Sequence, residues 1–138
     1  MEENRLKHSL AVANKMVELN NGTDKENVFL IGYLHDIGYD FLENRNDTSI
    51  HNKIGGEILK KSRFKYWKEV YYHGDLNPEY KSDYLNLLNT ADMMIDSKGN
   101  DVGFNKRLED IMCRYGDSSE VYIKAKQLIE SLKKQNIN

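Results

Sequence analysis

The chain of 138 residues is poor in cysteine, in proline and in long apolar runs, and each shortage removes a class of protein. Its single Cys can neither close an internal disulfide nor build a Cys-based zinc site. The start, Met1-Glu2-Glu3-Asn4-Arg5, has no apolar stretch behind a basic end, so the expected location is the reducing cytoplasm. The longest apolar run, Val28 to Leu34, falls far short of the roughly 20 residues that cross a bilayer, and no membrane partner is expected. Charge of one sign is not in excess either. Lys and Arg number 20 against 22 Asp and Glu, a net charge of −2, which gives no global pull toward nucleic acid. A chain of this length buries roughly 68% of its extended surface on folding, so it needs no covalent staple. What stands out against this background is the set of four His.

Alternation of strand type is missing as well, and helical periodicity dominates, so the expected fold is all-α, a single domain over 1–138. The first helix is expected over about Asn4 to Leu19, with Leu6, Leu10, Ala13 and Val17 on its core face, ended by left-handed residues in Asn20-Asn21-Gly22. Thr23-Asp24-Lys25-Glu26 fits a capping box that starts a second helix. That helix is apolar nearly all round and so is expected at the centre of the bundle, stopping near Gly38. Tyr39 to Asp47 reads as a loop, about Ser49 to Lys60 as a third helix and about Tyr66 to His73 as a fourth. Gly55-Gly56 implies close packing in the third helix rather than a phosphate cradle, since no strand precedes it. The only Pro marks a loop at Asn77-Pro78. A fifth helix is expected over about Ser82 to Asp96, and two closing helices, about 104–134, need only a packing explanation. Their expected core positions include Met112 and Val121, and Met93-Met94 reads as core filler.

A His-Asp dipeptide alone says little, since four His and 11 Asp produce about 0.3 such pairs by chance. His35-Asp36, however, follows a buried apolar helix, where ionised groups need a partner, and a metal ion would supply one. His8, His51 and His73 fall on three other expected helices, and Asp92 lies beside the apolar face of the fifth. Separate helices of a bundle can converge such side chains on one interior point. Lys60-Lys61-Ser62-Arg63-Phe64-Lys65-Tyr66-Trp67-Lys68 reads as a solvated helix end with its aromatics turned inward, and only secondarily as a guide for anionic substrates.

The ordered set His8, His35-Asp36, His51, His73 and Asp92 resembles the HD-domain superfamily of metal-dependent phosphohydrolases, in particular its two-metal, six-ligand subgroup. Arg5-Leu6-Lys7-His8-Ser9-Leu10-Ala11-Val12-Ala13 is similar to the family's first helix and Leu34-His35-Asp36-Ile37-Gly38 to its signature. His51-Asn52-Lys53-Ile54-Gly55-Gly56, Tyr71-Tyr72-His73 and Leu88-Asn89-Thr90-Ala91-Asp92 are similar to its remaining ligand segments, so the resemblance covers 4 to about 96. It implies a bundle of about six or seven helices. It also implies that His8, His35, Asp36 and Asp92 hold one divalent ion, with Asp36 bridging to a second held by His51 and His73. Imidazole and carboxylate suit Fe, Mn, Zn or Co. Two such ions would lower the pKa of a bridging water from 15.7 toward about 7, giving hydroxide for attack on phosphorus. Asp36, His51 and His73 are the candidate catalytic residues on this reading.

The chain departs from the family's pattern at two places. Many members carry a Lys after the His-Asp pair that contacts substrate phosphate, whereas here Gly38-Tyr39-Asp40 follows. Lys53 and Arg5 are the expected substitutes, with Tyr39 and Tyr72 as hydrogen-bonding or stacking groups. The Gly-Tyr-Pro signature of relatives that cleave cyclic di-GMP is also missing, which disfavours that substrate. The expected activity is hydrolysis of a nucleotide or related phosphoester or phosphoanhydride, a dinucleoside polyphosphate being one candidate. The same ligands would also serve a mixed-valent di-iron oxygenase, and the absent Lys keeps a non-catalytic nucleotide-binding module in view.

Overall fold

The computed structural model describes residues 2–43 and 50–135, and these fold into seven α-helices and one 3-10 turn: α1 (Glu3–Leu19), α2 (Lys25–Leu34), the 3-10 turn (Ile37–Phe41), α3 (His51–Lys61), α4 (Trp67–Tyr72), α5 (Asp83–Asp92), α6 (Gly103–Tyr115) and α7 (Glu120–Gln135). Among the described residues there is no strand, only an isolated bridge between Ile95 and Asp101. The all-α expectation holds. The start of the expected loop at Tyr39 to Asp47 is taken up by the 3-10 turn, while its end and the expected helix start at Ser49 lie outside the described residues.

α1 packs on α2 and α5, α3 packs on α4 and on the 3-10 turn, and α6 pairs with α7. Val12, Met16, Val28, Ile31, Leu88, Ala91 and Ile95 form the core shared by α1, α2 and α5. A second cluster of Met93, Ile111, Ala125, Leu128, Ile129 and Leu132 attaches α6 and α7 to the end of α5. Glycines set the spacing around α3. A Cβ on Gly56 would collide with the Cα and Cβ of Tyr71, and one on Gly38 would collide with the carbonyl oxygen of His51. The close packing expected at Gly55-Gly56 is therefore what brings α4 and the 3-10 turn against α3.

Several local expectations are corrected. The buried stripe of α1 is His8, Ser9, Val12, Ala13 and Met16, with Leu10 exposed, so the helix is turned to carry a histidine inward rather than to maximise apolar burial. Asn20 ends α1 in an extended conformation, and the left-handed residue is Asp24, at φ 70°. No capping box forms at Thr23. The Asp24 carboxylate instead accepts from Asn27, Tyr66 and Tyr84, tying the start of α2 to α5 and to the α3–α4 connection. α2 buries Val28, Ile31 and Gly32 but leaves Leu30 exposed, so it lies at the flank of the core rather than its centre. α5 starts under the Ser82 hydroxyl, which accepts from the amide of Leu85. It ends at Asp92, four residues before its expected end, because Met94 and Ile95 pair with the returning chain at Val102, Gly103 and Asp101. Met112 and Val121, expected in the core, are exposed on α6 and α7. In the basic segment, Phe64 and Tyr66 pack against the core while all five Lys and Arg stay exposed.

Candidate metal centre

Four helices and the turn after α2 deliver six side chains to one interior point. His8 comes from α1, His35 and Asp36 from the turn that follows α2, His51 from the first position of α3, His73 from the residue after α4 and Asp92 from the last residue of α5. All six expected ligands are thus brought together. His8, His35, Asp36, His73 and Asp92 are buried, and His51 is 22% exposed at its side chain.

The four Nε2 atoms divide between the two oxygens of Asp36. Oδ2 lies 3.2 Å from His35 and 3.8 Å from His8, whereas Oδ1 lies 3.5 Å from both His51 and His73. Asp92 Oδ1 joins the first group, 2.8 Å from His8 and 3.3 Å from His35. The two nitrogens on the other side, those of His51 and His73, are 3.3 Å apart. Among the described residues two sets meet the spacing that one ion requires: His8, His35 and Asp92, and His35, Asp36 and His73.

The donor set fits divalent metal for a reason visible in the backbone. His8 Nδ1 contacts the carbonyl of Asp96 at 2.9 Å, His35 Nδ1 that of Gly32 at 2.6 Å and His73 Nδ1 that of Val70 at 2.6 Å. A carbonyl only accepts, so each of these rings carries a proton on Nδ1 and turns Nε2 inward, the nitrogen that a metal ion would bind. His35 Nε2 is buried and makes no well-formed hydrogen bond, yet lies 3.2 Å from Asp36 Oδ2 and 3.3 Å from Asp92 Oδ1, so it points at the carboxylates with which it would share an ion.

The electrostatics agree. Burial would raise the pKa of Asp36 and Asp92, but His35 above all, with neighbouring imidazoles, holds both well below the usual carboxylate range. Burial would lower that of His35, and the two carboxylates outweigh it and push the imidazole well above its ordinary value. The interior therefore keeps two anionic carboxylates and draws a positive charge to them. His73, by contrast, is lowered by burial and by the neighbouring His35 and His51. It stays neutral, as a ligand must.

The expected substrate contacts divide. Tyr39 stacks on His51 at 4.2 Å between centroids, and the Arg5 guanidinium lies 4.0 Å from the Tyr39 ring centroid. Burial, then Asp36 and Asp92, raise the Tyr39 pKa, so its hydroxyl remains a donor. Lys53 is placed differently from expectation. Its ammonium is 2.5 Å from Asp75 and 3.2 Å from the Tyr71 carbonyl, because Asp75 stands two residues past His73 and supplies a nearer anion than any ligand of the centre. Tyr72 stacks on Tyr80 at 5.8 Å and faces Lys53. Residue reading missed Asn52, Asn89 and Asp75, which grip the segment after His73. The one available signal was an Asn directly after His51 on a buried helix face.

Comparison with curated proteins and with solved structures returns no match for the chain. The family model described as HD domain matches residues 5–99, which span every residue of the centre and stop before α6. With that match covering more than half of the sequence, the chain belongs to the HD-domain superfamily, whose members are mostly metal-dependent phosphohydrolases.

Proposed function

We propose that this protein hydrolyses a small phosphorylated molecule, a nucleotide or related phosphoester or phosphoanhydride, with two divalent transition-metal ions. One observation carries the reading. The two oxygens of Asp36 face different histidine pairs, as a carboxylate bridging two ions would. His8, His35, Asp36 and Asp92 would hold one ion, and Asp36, His51 and His73 the other. Fe, Mn, Zn and Co all suit these nitrogen and oxygen donors. Bound there, such ions supply Lewis acidity toward a phosphoryl oxygen and acidify a coordinated water.

The residues of the chain do the rest. His51 is the most exposed of the six and marks the side from which substrate enters. Arg5 makes no ion pair or hydrogen bond to any described residue, so its guanidinium, stacked on Tyr39, is available to a phosphate oxygen. Tyr39 holds its hydroxyl proton and can donate it to the same anion. Asp36 supplies negative charge to both halves and keeps them at a fixed separation. Among the described residues no helix is long and apolar enough to cross a membrane, and the proposed partner is a small phosphorylated molecule.

The test is a panel of nucleotides, dinucleoside polyphosphates and generic phosphoesters, offered to protein loaded with Mn or Fe. Phosphate or nucleotide release from at least one class is expected. Failure of all of them with metal bound would overturn the reading, as would oxygen consumption by the iron-loaded protein in place of hydrolysis.

A further inference from the structure

His73 sits where a helix of only six residues gives way to a turn, a place that frays unless it is held. Its backbone leaves the helix at ψ 138°, and Gly74 follows at φ +81°. Its own amide and its Nδ1 both converge on one acceptor, the carbonyl of Val70, at 3.3 and 2.6 Å. That arrangement orients the ring relative to α4 but does nothing to fix α4 relative to α3, which carries the other histidine of this half.

Asn52 does so. It is buried, and it follows His51 directly in α3. Its Nδ2 donates to the His73 carbonyl at 2.9 Å and to Asp75 Oδ1 at 3.0 Å, while its Oδ1 accepts from the first-turn amide of Lys53 at 2.9 Å. Lys53 then binds the other oxygen of Asp75, and Asn89 Oδ1 accepts from the Gly74 amide at 2.8 Å. The main chain of Asn52 is joined to one histidine and its side chain to the other. No residue on the His8 and His35 side makes such a connection among the described hydrogen bonds.

We infer that Asn52, braced by Asp75 and Lys53, is a positioning residue that sets the separation of His51 and His73 and so the affinity of the second ion. This rests on the two-ion reading above. It also gives Lys53 a role different from phosphate binding: its charge locks Asp75 as the far anchor of Asn52. Removing an outer partner of a metal-binding histidine weakens metal binding by about 10- to 100-fold, and here the loss should fall on one half of the centre only.

Mn(II) titration of the metal-free full chain, read by calorimetry and by electron paramagnetic resonance, separates the possibilities. The wild type is expected to take up two ions and to show the signal of a coupled pair. Asn52→Leu should leave the tighter step unchanged, weaken the other by about 10- to 100-fold and show isolated-ion signal at matched loading. Asp75→Ala should move the same step in the same direction, and Asp75→Asn, which keeps an oxygen for Asn52, should restore most of it. Asp75 is at the rim, so these two variants decide the matter even where Asn52→Leu fails to fold. Folded variants that bind both ions with wild-type constants would overturn the positioning role, as would equal weakening of both steps. A wild type that takes up fewer than two ions would instead remove the two-ion reading on which the inference rests.

Discussion

The two sides of Asp36 are built differently. Around Oδ2 stand His8, His35 and Asp92, all buried, with both histidines fixed by backbone carbonyls. Around Oδ1 stand His51 and His73, contributed by α3 and the end of α4, with His51 partly open and Tyr39 and Arg5 beside it. The inner side offers four donors counting Asp36 and sits against the core of α1, α2 and α5. The outer side offers three and depends on Asn52 and the turn after His73 for its geometry. Burial and donor number together predict a tight inner ion and a weaker outer one that keeps open positions for substrate.

The sharpest way to break that comparison is to remove what the sides share. Asp36→Ala should take metal uptake from two ions to none and lower turnover by on the order of 10^3-fold. Elemental analysis with the phosphoester panel checks both. Full activity in this variant would end the bridging account.

The next effect separates the sides. In metal-free protein His35 is the cation that Asp36 and Asp92 retain. His35→Ala leaves two carboxylates buried without it and should destabilise the fold by about 3–5 kcal/mol. His51→Ala, at the open edge, should cost less than about 1 kcal/mol in the same chelator. Both should abolish turnover. Thermal melts of the two variants with chelator present test this, and equal losses of stability would mean that the sides are not distinct.

Why the centre was readable while parts of the frame were not follows from the same contrast. His8, His35, His51 and His73 are all the histidines the chain has, and each carries a family-like neighbourhood, so order along the sequence sufficed to group them. Helix positions followed from apolar periodicity to within a few residues. Features set by tertiary pairing escaped. Asp24 abandons the capping pattern because Tyr66 and Tyr84, remote in sequence, donate to it. α5 stops early because Ile95 meets Asp101. Lys53 turns from the centre because Asp75 is close in space. Nothing in local pattern encodes those partners.

A smaller effect comes from protons. His35 has its pKa raised above 6.5, so its contribution to the metal-free fold is fully present below that value and is lost as pH rises through the raised pKa. Asp36 and Asp92 are lowered below 3.8, so theirs is present above that value and is lost as pH falls through the lowered pKa. Metal-free protein should thus keep the full contribution of these groups between pH 3.8 and 6.5. Uptake of the inner ion must expel the His35 proton, so its affinity should rise by up to about tenfold per pH unit until the raised pKa is passed. Calorimetry in buffers of different ionisation enthalpy would detect that proton. The outer ion, whose His73 is lowered, should release none from that ring.

The smallest predicted effect concerns α6 and α7, which lie beyond the family match. Arg107 of α6 donates to the Asp92 carbonyl at 3.4 Å, and the polar link of α7 is Lys124, 3.9 Å from Asp75 and half exposed, whereas Lys53 holds the same carboxylate from a shorter distance and a more sheltered position. An exposed pair of that length contributes about 0–0.5 kcal/mol. Lys124→Met should therefore leave the outer ion's affinity within about twofold of wild type, while Lys53→Met, which frees Asp75 from its nearer anchor, should weaken it measurably. If Lys124→Met were the more damaging of the two, α7 would be part of the metal centre's support, and the boundary at residue 99 would divide the matched family from the frame but not from the chemistry.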